Sequence, residues 1–303
     1  MMRIVSLLPS LTELVWALGR GEDLVGVTHE CDYPPEVVGL PTLTASRIPA
    51  AATSAAIDAL VAEERGSLYD LDADRLAELR PDLILTQEQC DVCAVNEKTV
   101  RRVAATLPGN PRVESVNPLC LEDLHAMFRM VGDLLDARPA AEVVVARFER
   151  TAQEIAERRE GLGRPLVLQL EWLDPPFCSG HWNPEIVDLA GGVEVIGRAG
   201  AASRRIAWDE IARGDPDLIL LAPCGFPVER TEAELADALA SGPIGTLRAA
   251  REGKIAVTDG SAYFSRPGPR LEESLRIAAA AIDPDRCGDL APEGSWRFIP
   301  PRA

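Results

Sequence analysis

Seven cysteines and three histidines are spread over 303 residues, and most of them stand in short pairs. The pairs are His29-Glu30-Cys31, Cys90-Asp91-Val92-Cys93 and Cys178-Ser179-Gly180-His181, with Cys224 set by itself in Ala222-Pro223-Cys224-Gly225-Phe226. Thiolate and imidazole are soft ligands that prefer zinc, copper, iron or cobalt over magnesium or calcium. Each pair suits a shared ion, so His29, Cys31, Cys90, Cys93, Cys178, His181 and Cys224 are the candidate metal ligands. Compact structural zinc sites place two such motifs within about 15–20 residues of each other. Here the motifs lie far apart and can meet only through the fold. Cys90 and Cys93 also fit a dithiol redox pair, although the thioredoxin-like surroundings are missing. Core packing is the competing reading, because cysteine is among the most buried residue types. His125, Cys120 and Cys287 are read as packing or surface residues.

The elements that must position these residues follow a simple grammar. Ile4–Leu8, Leu24–Val27, Leu83–Thr86 and Val113–Val116 are short apolar runs separated by helical stretches, which predicts a parallel sheet with helices on both faces. Ser10 is placed to cap the first helix, with Glu13 at capping-box spacing. Leu121, Leu124, Phe128, Val131 and Leu135 keep helical spacing. A longer helix is predicted from about Pro139 to about Arg159, with Pro139 in its first turn. New strands follow at Leu166–Leu170 and Ile255–Thr258. Residues 71–85 (LDADRLAELRPDLIL) and 206–220 (IAWDEIARGDPDLIL) match at an offset of 135, a period too long for a solenoid. Two α/β lobes of similar construction account for it: an N-terminal lobe over 1–120, linking helices over 121–160 and a C-terminal lobe over 161–303. In open α/β sheets ligands bind beyond the carboxyl ends of the strands. Five of the seven cysteines and two of the three histidines fall in loops after predicted strands, which places them toward a cleft between the lobes.

Composition narrows the function. Hydrophobic residues at 47% and charged residues at 26% describe a globular chain. A formal charge of −17 argues against nucleic acid and against an anionic membrane surface as partners. Met1–Pro9 is too short for the apolar region of a secretory signal, and no run approaches the ~20 apolar residues of a spanning helix. The expectation is a cytoplasmic protein that does not span a membrane, or a periplasmic one if an export segment has been removed. Gly161-Leu162-Gly163 lacks the third glycine of a dinucleotide fingerprint and precedes a strand instead of following one. No phosphate loop, nucleophile elbow or H-E-x-x-H is present.

Several motifs then occur in one order: Leu8-Pro9-Ser10-Leu11-Thr12-Glu13-Leu14, Cys31-Asp32-Tyr33-Pro34-Pro35, the Pro-Asp-Leu-Ile strand, Pro175-Pro176-Phe177 with Ser179-Gly180, and Tyr263-Phe264-Ser265-Arg266-Pro267-Gly268-Pro269-Arg270. Together they resemble the cobalamin-binding branch of the periplasmic-binding-protein family, which also carries ferric siderophores and haem. The resemblance runs from about Arg3 to about Ile282. It implies two Rossmann-like lobes with parallel sheets joined by one long helix, and a cobalamin-like corrinoid or other metal-containing ligand held in the cleft. It also implies an ABC transporter permease as partner. The matching loops make Pro9, Ser10, Glu30, Tyr33, Gln87, Trp172, Phe177, Trp182, Phe226, Tyr263, Phe264 and Arg266 the candidate ligand contacts. Cobalamin binders line the cleft with aromatic residues, whereas the first-lobe loops here carry Glu30 and Gln87.

Three functions remain open on these residues. The first is a binding protein for a corrinoid or related metal-containing ligand, with cysteine or histidine coordinating its metal. The second is storage or trafficking of bare zinc, copper or another thiophilic ion. The third is a chelatase-like or thiol-dependent enzyme, with Glu30, Asp32, Glu88 or Glu171 as base. The reading preferred here is the non-enzymatic binder.

Overall fold

The computed structural model describes residues 2–63, 68–88 and 95–301. The chain divides into two compact units. Unit one holds Met1–Pro118, Glu122–Val145 and Pro267–Pro269, and unit two holds Leu119–Leu121, Ala146–Arg266 and Arg270–Ala303. The 21-residue helix Arg138–Arg158, where sequence spacing predicts the longest helix, contributes to both.

Unit one contains strands β1 (Ile4–Ser6), β2 (Leu24–Gly26), β3 (Thr44–Ser46), β4 (Tyr69–Leu71), β5 (Leu83–Gln87) and β6 (Arg112–Val116). Its main sheet has the order β2-β1-β5-β6 with every pairing parallel, and β3 pairs β4 antiparallel beside it. β1 and β5 are buried along their whole length, which is why they read as unbroken apolar runs. The helix Pro9–Ala17 follows β1. Its N-cap is Leu8, not the expected Ser10, and no side chain caps it. Pro9 sets this start, because its fixed φ and missing N–H suit the first helical position. Ser10 therefore lies inside the helix, buried, with Oγ lacking a hydrogen-bond partner among the described residues.

Unit two contains β7 (Leu166–Trp172), β8 (Phe177–Cys178), β9 (Val193–Glu194), β10 (Arg204–Arg205), β11 (Leu218–Leu221), β12 (Ile255–Thr258) and β13 (Trp296–Ile299). The order is β10-β8-β7-β11-β12-β13, with β9 also beside β7. β7, β9, β11 and β12 run parallel, and β8, β10 and β13 join antiparallel at the rims.

The 135-residue repeat is structural. Helices Ala73–Leu79 and Trp208–Gly214 begin and end at that offset. Each closes on a left-handed residue, Arg80 (φ 44°) and Asp215 (φ 37°). Two residues on, Asp82 Oδ2 accepts the Arg3 N–H at 2.8 Å and Asp217 Oδ2 accepts the Leu166 N–H at 2.8 Å. Each aspartate thus holds the start of the neighbouring central strand in register. The Leu166 N–H, followed by Arg248, keeps the Asp217 carboxyl below its usual range. A folded pKa below the unfolded ~3.9 gives stability that is present above that value and is lost as pH falls through the folded value. Asp217→Ala should lower unfolding free energy by about 1 kcal/mol at neutral pH, discounted for a carboxylate at the surface. Urea unfolding at pH 7 and at acid pH checks this, and a difference that does not shrink in acid contradicts it.

No helix among the described residues is long and apolar enough to cross a membrane.

Candidate functional site

In unit one a shallow pocket opens at the carboxyl ends of β1 and β2. Its wall is Pro9, Thr28, His29, Glu30, Thr44 and Tyr69, over an apolar floor of Leu7 and Val95. His29 is fixed from three sides. Its backbone N–H donates to Thr44 Oγ1 at 3.1 Å, and its Nδ1 lies 2.7 Å from the same oxygen. Nε2 lies 3.3 Å from Glu30 Oε1, and the ring packs against Tyr69 at 5.5 Å. The Thr44 hydroxyl, which accepts from the His29 N–H, is also within hydrogen-bond distance of Nδ1. Among the described residues His29 belongs to no group of three His, Cys, Asp or Glu side chains placed to share a metal ion.

Cys31 has different neighbours. Its Sγ lies 3.1 Å from the hydroxyls of both Thr12 and Thr28. Gln87 ends β5 with little exposure, and Tyr33 is exposed. Ser10 lies beneath Gly268, where a Cβ would come within 3.1 Å of the serine Cβ and O. Cys90 and Cys93 lie outside the described residues. Among the described residues, no three His, Cys, Asp or Glu side chains are placed to share a metal ion.

In unit two the aromatic candidates separate into two groups. Trp172, half-buried at the end of β7, meets Phe226 at 4.9 Å between ring centroids. The Arg230 guanidinium lies 3.5 Å from the centre of the Phe226 ring, a stacked cation–π contact. Phe177 lies under Arg205 at 5.9 Å, and Tyr263 under Arg270 at 5.7 Å. Trp182 and Phe264 are used differently. Trp182 is 4% exposed and Phe264 not at all, and Trp182 Nε1 donates to the Phe264 carbonyl at 2.9 Å. Phe264 holds φ at 60°, and its N–H donates to Ser274 Oγ at 3.0 Å. These two side chains brace the loop from inside and offer no open face to a ligand. Arg266 is also largely buried, with Nη2 3.5 Å from Ser261 Oγ.

The Cys178/His181 pair does not form one site. Cys178 is in a strand and not in the expected loop: it pairs with Leu170, packs in the apolar core and is 2% exposed. Burial pushes its thiol pKa up, away from the thiolate that a metal ligand needs. Cys224 follows β11, and its N–H donates to the Glu171 carbonyl at 3.1 Å.

His181 is held in the left-handed region at φ 53°. Its N–H donates to the Ala201 carbonyl at 2.6 Å, and its carbonyl accepts from Gly200 at 3.0 Å. The ring rests on Trp182 at 5.6 Å and is partly exposed. Burial lowers its pKa, so the imidazole is neutral at physiological pH. A strained, doubly pinned backbone presenting a neutral imidazole is a pre-organised donor atom.

Two part-buried carboxylates hold the loops around it. Glu171 accepts from the Gly180 N–H at 3.2 Å, from Asn183 Nδ2 at 2.8 Å and from the Ser203 hydroxyl. Glu194 accepts from the backbone N–H groups of Gln169, Ile196 and Gly197 at 2.9–3.1 Å. Desolvation raises both carboxyl pKa values, against the donors that lower them. Glu171 is thus occupied as a loop anchor, which is not the catalytic-base role an enzyme would give it. Sequence reading missed Thr44, Tyr69, Glu194 and Arg230. Only Arg230 had a local signal, four residues after Phe226 at the start of the helix Val228–Ser241.

A family model described as periplasmic binding protein matches residues 4–262. A vitamin B12-binding protein of Pectobacterium atrosepticum is 22% identical over 277 residues, covering 89% of this chain and 84% of that one. An uncharacterised ABC transporter substrate-binding lipoprotein of Bacillus subtilis is 22% identical over 290 residues, covering 93% and 80%. Among solved structures, a periplasmic heme-binding protein from Pseudomonas aeruginosa superposes with a TM-score of 0.71 at 22% identity, covering 99% of this chain and 95% of that one. The periplasmic vitamin B12-binding protein of Vibrio cholerae gives 0.63 at 17% identity, covering 92% and 96%. At these identities the structural likeness establishes the fold.

Proposed function

This chain belongs to the periplasmic-binding-protein family, and we propose that within it the protein is a non-enzymatic binder of a corrinoid, working with an ABC transporter permease. The homologues are substrate-binding proteins and not enzymes. The observation that carries the reading is the platform of Trp172, Phe226 and Arg230. A tetrapyrrole macrocycle is a broad, flat, apolar body with a polar rim. Such a body is best bound by an aromatic surface already held rigid, because little side-chain entropy is then lost. Phe226 is 2% exposed and clamped by Arg230, so it fixes the indole of Trp172 in place. The curated vitamin B12-binding relatives support the corrinoid class, and the heme-binding structures make ferric haem the control ligand.

Purified protein mixed with hydroxocobalamin, cyanocobalamin or ferric haem and passed through gel filtration tests the proposal. Co-elution of a corrinoid near one equivalent is expected, and complete loss of corrinoid on the column sinks it. Trp172→Ala should weaken corrinoid binding about 10-fold, the loss of one aromatic contact and its buried area. Titration calorimetry reads that change, and an unaltered Kd removes Trp172 from the site. His181 is the side chain proposed to meet the ligand's metal.

A further inference from the structure

Buried polar atoms gather around the residues that flank His181 in unit two. Gln169, in the middle of β7, is wholly buried, yet neither Oε1 nor Nε2 of its amide has a hydrogen-bond partner. Ser179 Oγ and Asn183 Oδ1 are likewise unpartnered, on residues 1% and 2% exposed. Buried polar atoms left so are costly unless a ligand meets them. Contacts draw the three residues to one place. The Ser179 N–H donates to the Gln169 carbonyl at 3.0 Å, which sets the two side by side across neighbouring strands. A Cβ on Gly197 would lie 2.5 Å from Ser179 Oγ and 3.1 Å from Glu194 Cγ, so both side chains border the same glycine. Glu194 Oε2 accepts the Gln169 N–H at 2.9 Å, and Asn183 Nδ2 donates to Glu171 Oε1 at 2.8 Å. Desolvation raises the Glu194 pKa and the charge on Glu171 adds to it, so the two carboxylates are near neighbours.

Charge points to the kind of ligand. Glu171 takes its hydrogen bonds from Gly180, Asn183 and Ser203, and Glu194 takes its own from Gln169, Ile196 and Gly197. Among the described residues no arginine or lysine pairs with either carboxylate. Water would satisfy the neutral atoms and leave two like charges uncompensated. A divalent cation answers both needs. Oε2 of each glutamate accepts one hydrogen bond and keeps a lone pair. Gln169 Oε1, Ser179 Oγ and Asn183 Oδ1 add three neutral oxygens. An irregular set of hard oxygen donors suits calcium better than magnesium, which demands a near-ideal octahedron, and suits neither zinc nor copper. Glu171 and Glu194 are part-exposed, which gives an ion a way in.

We propose that Gln169, Glu171, Ser179, Asn183 and Glu194 form a binding site for one calcium ion, which ties the loop of His181 to β7. Its two carboxylates and three neutral oxygens set it apart from a cluster of three ionisable ligands, which the described residues lack. The site does not depend on the corrinoid reading.

The full chain, stripped with EDTA, is dialysed to equilibrium against calcium in a buffer that also holds magnesium, which fills weak sites on the acidic surface. About one equivalent of bound calcium is expected, with a thermal midpoint about 3 °C or more above that in EDTA. Gln169→Met replaces the amide by an apolar group of similar size, so it should lose the bound calcium and, in EDTA, unfold no lower than wild type. Ser179→Ala removes one neutral ligand and should weaken calcium binding about 10-fold. No calcium retained, with equal midpoints in calcium and EDTA, means ordered water only and overturns the inference. Undiminished calcium binding by either folded variant also overturns it, because the ion then sits elsewhere.

Discussion

His181→Asn is expected to lower affinity for aquocobalamin about 100-fold while leaving that for cyanocobalamin within about two-fold. The two ligands differ in the upper axial position, where aquocobalamin has an exchangeable water and cyanocobalamin a firmly held cyanide. Only the first can accept a protein imidazole on cobalt. His181 suits that role because its ring is neutral and partly exposed, with its backbone pinned to Ala201 and Gly200. Asparagine tolerates the left-handed backbone, so the loop keeps its two hydrogen bonds and only the nitrogen donor is lost. The visible spectrum gives a second readout, a band shift on mixing aquocobalamin with wild type that is absent in the variant. The pH dependence follows from the sign of the shift. Burial lowers the folded pKa, so the ring would stay unprotonated, and a bond to cobalt would persist, to a lower pH than for an unburied histidine. Equal affinities for the two corrinoids in wild type, or a band shift retained in His181→Asn, would remove the imidazole from the mechanism.

The second large effect concerns the turns that support the aromatic platform. Gly260 follows β12 and donates its N–H to the Phe226 carbonyl at 3.0 Å. A Cβ there would come within 1.9 Å of the Pro223 oxygen, 2.6 Å of the Pro223 carbonyl carbon and 2.8 Å of the Ala222 carbonyl carbon. All three are backbone atoms, so no rotamer change relieves the clash. One methyl group must push the turns after β11 and β12 apart and break the bond to Phe226. Gly260→Ala should therefore cost about 3 kcal/mol of stability. It should also weaken corrinoid binding, because Phe226 supports Trp172. Gly225→Ala is the comparison: its φ is +76°, but nothing lies within 4 Å of its Cβ position. That change should cost only the ~1–2 kcal/mol of left-handed backbone strain. Denaturant unfolding of both variants settles the order. If Gly260→Ala is no worse than Gly225→Ala, close backbone packing is not what demands glycine at residue 260.

Some of this was written locally in the chain. β1, β5, β7 and β11 are legible because strands buried on both faces form continuous apolar runs, and no distant partner is needed to see them. The repeat across 71–85 and 206–220 is legible because a helix, a left-handed stop and an aspartate at the next turn are all short-range features. The aspartates' bonds to Arg3 and Leu166 give that repeat its structural meaning.

The site was less legible, for identifiable reasons. β8 and β10 are two residues each, too short to show any period, so Cys178 was assigned to a loop when it is a core residue of the sheet. Trp182 and Phe264 look like exposed aromatic contacts in sequence, yet each satisfies the other across 82 residues. His29 was read as a metal donor from its spacing to Cys31. Its ring is held by Thr44, 15 residues away on β3, and lies beside Glu30. Residue type alone marks the cysteines and histidines as chemically capable side chains. Residue type and spacing determined that capability and the strand–helix order that carries it. Tertiary structure alone decided which of them are partly exposed, which are held by neighbouring side chains and which are packed away, because those properties depend on burial and on hydrogen-bond partners brought together from distant parts of the chain.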